Sequence, residues 1–120
     1  MQKTSQSVID GVTAHAEQAA LLEPPVSVGD FEQVYRAAAG DASQIPWCDG
    51  RANPSLVAWM NARAPHCLRP GARIAVVGCG LGDDVAELTA RGYDVTGFDV
   101  APTAVQWAQK NHPTLATRFR

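Results

Sequence analysis

The spacing of apolar residues switches period along this chain, and the switches mark its elements. Over residues 7–22, Val8, Val12, Ala16 and Ala19 fall on one face of an alanine-rich segment, which predicts an amphipathic helix. Pro24 and Pro25 end it, since proline lacks the N–H that a helix needs and drives the residue before it into an extended conformation. A second, shorter helix is predicted from Asp30, a good N-cap, through Phe31, Val34 and Tyr35 to a stop at Gly40. Residues 41–54 read as a loop. A further helix over 55–64 carries Leu56, Val57, Trp59 and Met60 at helical spacing, with Asn53-Pro54 as its start and Pro65 as its stop.

At residue 73 the pattern changes. Arg73-Ile74-Ala75-Val76-Val77 is a near-continuous apolar, β-branched run, the signature of a strand buried on both faces of a parallel sheet. A glycine-rich turn over 78–82 follows, then a helix over 83–91 with Val85, Ala86 and Leu88 as its apolar positions, closed by Gly92. Tyr93-Asp94-Val95-Thr96-Gly97-Phe98 makes a second strand. Pro102 suits the first position of another helix, which runs to about residue 110 and ends at Asn111-His112-Pro113. Residues 116–120 read as the start of a third strand. Strand, helix, strand, helix in that order predicts a right-handed parallel βαβ unit. The fold class is therefore α/β, a parallel unit preceded by helices, divided into a helical segment over 1–43 and a main domain over 44–120.

Bulk properties narrow the function. At 120 residues the chain is one domain or part of one. A formal net charge of -2 without a dense Lys/Arg cluster argues against a nucleic-acid partner. The longest apolar run, Ile74 to Val77, falls far short of a membrane span, and the first ten residues have neither a basic start nor an apolar core of the signal-peptide kind; a cytoplasmic location is expected. Cys48, Cys67 and Cys79 show no CxxC or Cys/His ligand spacing, so three reduced thiols and no metal site are expected. His15, His66 and His112 have no partner at catalytic spacing and are expected to be solvated, whereas Trp59 and Trp107 lie in helical patterns and are expected to pack in the core.

The chemistry is concentrated in Gly78-Cys79-Gly80-Leu81-Gly82, between a strand and a helix, together with Asp99 at the tip of the next strand. Glycines let the chain turn sharply and bring its backbone close to a ligand, where a Cβ would collide. A carboxylate at the end of the second strand can accept hydrogen bonds from both hydroxyls of a ribose. Together they predict a nucleoside site at the carboxyl edge of the sheet. Dinucleotide sites favour a third glycine where this chain has Asp83, followed by Asp84, and two carboxylates there repel a pyrophosphate. They suit instead a ligand ending in an amine or a sulfonium, such as S-adenosylmethionine, although either aspartate could equally serve only to cap its helix.

Residues 70–110 resemble motif I and the following acidic strand of class I, Rossmann-like methyltransferases. Within that superfamily the Gly-Cys-Gly segment followed by Asp84-Val85, and the upstream Ile45-Pro46-Trp47-Cys48-Asp49-Gly50 with Asn53-Pro54, are similar to the thiopurine and thiol methyltransferase-like subgroup. The resemblance implies S-adenosyl-L-methionine as cofactor, contacted by Trp47, Gly78, Cys79, Gly80, Leu81, Gly82, Asp84, Asp99 and Val100. Trp47 becomes a candidate lid, with an ordinary packing tryptophan as the competing role. The implied acceptor is a small molecule, a thiol or other soft nucleophile. No catalytic residue stands out, and Cys79, inside a turn that requires a small side chain, is not expected to act as a nucleophile. The implied fold has about seven strands, so the chain is expected to be its N-terminal half, with an open sheet edge that invites self-association or a partner chain. An NAD(P)-binding oxidoreductase fragment and a non-catalytic cofactor-binding module are the alternatives.

Overall fold

The computed structural model describes residues 28–120; the helix expected over 7–22 lies outside the described residues. Helix α1 spans Val28–Ala38, starting two residues before the expected cap, so that Asp30 sits in its first turn. Tyr35 and Ala38 form its buried row. It ends where Ala39 and Gly40 turn to positive φ, 48° and 88°. A single 3-10 turn, Ala42–Gln44, interrupts the expected loop and is capped by the Asp41 side chain.

Helix α2, Pro54–Ala62, is set by its first residues: Asn53 accepts a hydrogen bond from the Ser55 N–H at 2.8 Å, and Pro54 occupies the first turn, where its missing N–H is harmless. Pro65 is not a stop as expected but opens the short helix α3, Ala64–Cys67, by the same logic. Trp59 departs from expectation too. Only the row of Leu56, Met60 and Ala64 faces the core, and Trp59, one position off that row, is 43% exposed. Trp107 is partly buried against the core, as expected.

Strand β1 is Arg73–Val77, helix α4 is Asp83–Ala90, strand β2 is Asp94–Phe98 and helix α5 is Pro102–Asn111. The strands pair in parallel, Arg73 opposite Asp94 through Val77 opposite Phe98. Alternation follows directly. Ile74 and Val76, with Val95 and Gly97 opposite them, face Val85 and Leu88 of α4 and Ala108 of α5 in the core. Each fully buried aliphatic side chain there, Val85 and Val95 above all, contributes about 1.5–3 kcal/mol. The other face corrects the expectation of a strand buried on both sides. Ala75 is exposed and Val77 is 84% exposed, because among the described residues the helices packed on the sheet lie on the opposite face. The expected third strand is reduced to one parallel bridge: residues 113–118 form 3-10 turns, and only Phe119 pairs, with Gly97. Its neighbour Arg120 donates its N–H to Gly97 and accepts one from Asp99.

Gly97 sits mid-strand for a reason. A Cβ there would lie 2.8 Å from Val85 Cγ2 and 3.0 Å from Cys79 Sγ, so α4 and the glycine turn can approach β2 only over a bare backbone.

Candidate functional site

The turn between β1 and α4 and the tip of β2 meet at the carboxyl edge of the sheet, where α/β folds bind ligands. The Asp99 carboxylate is central. One oxygen accepts the Gly80 N–H at 2.8 Å and the other the Ala101 N–H at 2.9 Å, which locks the acid against the glycine turn. A carboxylate has about four acceptor sites, so two more hydrogen bonds can be accepted from the half-exposed side.

The three glycines of the turn have different tasks. Gly78, at φ +71°, has nothing within 4 Å of the place its Cβ would take, and that open space belongs to two adjoining clefts. At Gly80 a Cβ would lie 3.1 Å from Tyr35 Oη. Gly82, at φ +87°, is buried, and its Cβ would lie 2.6 Å from Phe119 Cζ. The bareness expected to serve a ligand is thus required at position 82 by packing.

Trp47, Gly78, Cys79, Gly80, Leu81, Gly82 and Asp84 all border the first cleft. Trp47, Gly78, Asp99 and Val100 border the second, together with Phe31 and Tyr35. All nine residues expected from sequence are therefore brought together. Cys79 and Leu81 bury their side chains in the core, leaving only main chain for a ligand. Burial, with the Asp99 carboxylate adding to it, pushes the Cys79 thiol up to about 11, so it is protonated at neutral pH and unsuited to nucleophilic work.

Phe31 and Tyr35 were not legible as site residues, and they complete an aromatic wall. The Trp47 ring, 49% exposed, stands edge-on to both, at 5.7 Å from Phe31 and 5.9 Å from Tyr35. Its Nε1–H donates to Tyr35 Oη at 3.0 Å. Burial, opposed by this Trp47 hydrogen bond and reinforced by the nearby Asp99 charge, holds the Tyr35 hydroxyl above the usual tyrosine range. The one available signal was the spacing of Phe31 and Tyr35, four apart on a helix face.

The acidic pair opens α4, where negative charge meets the positive end of the helix. Neither aspartate caps the helix, whose N-cap is Gly82. Asp84 accepts the Asn53 N–H at 2.8 Å and thereby ties the segment carrying Trp47 to α4. Asp83 lies 3.4 Å from His112 Nε2. That histidine corrects an expectation: its side chain is only 20% exposed and its ring packs beside Phe119. His66 is exposed, and His15 lies outside the described residues. Among the described residues no helix is long and apolar enough to cross a membrane.

The stretch that carries these residues is similar to known proteins. Residues 38–119 match the family model described as Thiopurine S-methyltransferase (TPMT). A 2-heptyl-1-hydroxyquinolin-4(1H)-one methyltransferase of Mycobacteroides abscessus is 31% identical over 81 residues, covering 66% of this chain and 34% of that protein. Thiocyanate methyltransferase 1 of Brassica oleracea is 27% identical over 111 residues, covering 92% of this chain and 45% of that protein. The chain thus spans less than half the length of the curated relatives it matches. A solved structure from work on "Conversion of a Disulfide Bond into a Thioacetal Group during Echinomycin Biosynthesis" superposes with a TM-score of 0.58 at 34% identity, over 72% of this chain and 34% of that one. With its βαβ unit, glycine turn and acidic strand tip all inside the matched stretch, the chain belongs to the thiopurine S-methyltransferase family.

Proposed function

We propose that these residues form the S-adenosylmethionine-binding part of a methyltransferase whose acceptor is a small molecule with a soft nucleophile, a thiol among them. The observation that carries this reading is the Asp99 carboxylate, fixed by the Gly80 N–H, bordering the same aromatic-walled cleft as the open side of Gly78. That space fits a ribose, since a Cβ at position 78 would enter it and the acid keeps acceptor capacity for two hydroxyls. S-adenosylmethionine, when bound, supplies an electrophilic methyl on its sulfonium. Everything else falls to the chain. Asp99 receives the ribose hydroxyls, with Val100 beside it. Phe31, Tyr35 and Trp47 cover an adenosyl group and keep water out, which favours a near-attack arrangement of donor and acceptor. Asp83 and Asp84 place negative charge where an amine or sulfonium is favoured over a phosphate.

The hydrogen bonding of the turn supports this over a dinucleotide. The N–H groups of Cys79, Gly80 and Gly82 are all engaged within the protein, with Phe98 O, Asp99 Oδ2 and Cys79 O, so the turn has few donors to offer a pyrophosphate. A small acceptor accords with the relatives, whose names give a hydroxyquinolone and thiocyanate.

Calorimetric titration tests the reading. S-adenosylhomocysteine is expected to bind saturably and NADH to give no binding heat, with Asp99→Asn at least about tenfold weaker, because the substitution weakens the hydrogen bonds the acid accepts from the turn as well as from the guest. Absence of S-adenosylhomocysteine binding, or undiminished affinity in Asp99→Asn, overturns it.

A further inference from the structure

The start of α5 poses a question that its own sequence does not answer. Its N-cap is Ala101, which has no side chain able to accept from the first turn, and Pro102 follows. A helix start without a cap leaves N–H groups unsatisfied. The cap comes from far away: Glu32, on α1, accepts the Thr103 N–H at 3.1 Å with Oε2, 71 positions along the chain, and the Thr103 hydroxyl with Oε1. Arg36, one turn on, donates to the same Oε1 at 3.1 Å. The Glu32 side chain is only 17% exposed, and the Thr103 hydroxyl bond holds its carboxyl below the usual range, so it is charged at neutral pH, where it complements the positive end of α5.

The neighbours of this clamp give it a second meaning. Glu32 is flanked on α1 by Phe31 and, three residues on, by Tyr35, the two rings against which Trp47 stands. Thr103 lies two residues after Ala101, whose N–H is held by Asp99. The clamp therefore joins the helix that carries the aromatic wall to the segment that carries the acid. We infer that Glu32 is a positioning residue: by fastening α1 to the first turn of α5 it fixes where the wall formed by Phe31, Tyr35 and Trp47 stands over Gly78 and Asp99. This rests on the reading of the cleft as an S-adenosylmethionine site. Glu32 touches no ligand; it acts through the wall.

The test is a double-mutant cycle in S-adenosylhomocysteine titrations of the full chain. Glu32→Gln and Thr103→Val are each expected to weaken binding about tenfold, and Thr103→Ser, which keeps the hydroxyl, to restore it to within about twofold of the parent. In a Phe31→Ala/Trp47→Ala background, already weakened, adding Glu32→Gln is expected to change affinity by no more than about threefold, because two of the three rings it positions are gone. A contribution to folding alone would lower affinity by the same factor in both backgrounds, and that result overturns the inference, as does parental affinity in Glu32→Gln. Far-UV circular dichroism establishes that each variant is folded, and Thr103→Val leaves Glu32 and the Thr103 N–H in place should Glu32→Gln unfold. The two readings fail separately. If the parent chain binds and Asp99→Asn weakens it while Glu32→Gln does not, the positioning role alone is lost; if the parent chain does not bind, both are.

Discussion

Replacing each outer glycine of the turn by alanine separates the two reasons for having glycine there. Both have positive φ, +71° at Gly78 and +87° at Gly82, and an L-residue in that region costs about 1–2 kcal/mol. At Gly78 nothing further is added to the folding cost, since the new methyl enters open space. At Gly82 it would arrive 2.6 Å and 2.7 Å from two ring atoms of Phe119, and 3.1 Å from His112 Cδ2. Phe119 is 3% exposed and pinned by the bridge to Gly97, so its ring has little room to retreat, and overpacking of this kind costs about 1–3 kcal/mol more. Gly82→Ala is therefore expected to lose about 2–5 kcal/mol, a large part of a typical domain's stability. Each kcal/mol moves the melting midpoint of a domain this size by about 4–8 °C, so circular-dichroism melts resolve the two variants. Ligand titration gives the complementary readout, with Gly78→Ala weakening S-adenosylhomocysteine binding by more than its small melting shift explains. Phe119→Ala supplies the internal control: in that background Gly82→Ala is expected to fall back to the conformational cost of about 1–2 kcal/mol. Gly82→Ala melting at or above Gly78→Ala, or an undiminished cost without the Phe119 ring, would falsify the assignment of Gly82 to packing.

Two further outcomes follow from the same geometry. The Cys79 thiol, pushed up to about 11 mainly by burial, holds its proton in the folded chain at pH values where an unfolded chain has released it; its contribution to stability is complete at neutral pH and is lost as pH rises towards 11. Iodoacetamide at pH 8 is accordingly expected to modify exposed Cys67 well before Cys79, as peptide mass mapping against time will show, and equal rates contradict this. Asp84→Ala removes the acceptor of the Asn53 N–H, a bond to a charged group worth about 1.5–3 kcal/mol; trypsin is expected to cut after Arg51 about tenfold faster through local opening, and an unchanged rate contradicts the tether.

Local signals survived into the structure where one segment's chemistry decided the outcome. The β-branched run at 73–77 and the Gly92 stop before β2 gave strands at the expected places, and the acid at 99 meets the turn because a parallel βαβ unit delivers both to one edge. What escaped depended on partners distant in sequence. Trp59 looked like core because its helix is apolar on several sides, and only packing selects the row through Leu56, Met60 and Ala64. Pro65 read as a stop, since a proline that ends one helix and one that opens the next share the same local chemistry. The roles of Phe31, Tyr35 and Glu32 required α1 to be placed against residues about 70 positions away, which periodicity does not encode. Gly97 was readable in principle, because an isolated glycine inside a strand pattern signals a close backbone approach.

The clasp of Asp99 on Gly80 and Ala101 bears on how association would feel thermodynamically. Two loops are stitched to one acid during folding, so ordering these two adds no entropic penalty when a guest docks at this edge. The heat-capacity change of docking is then expected to scale with the apolar surface the guest covers, with no coupled-folding component from these two loops. For the same reason a lesion at this acid removes shape and contact together, and no substitution there will measure one without the other.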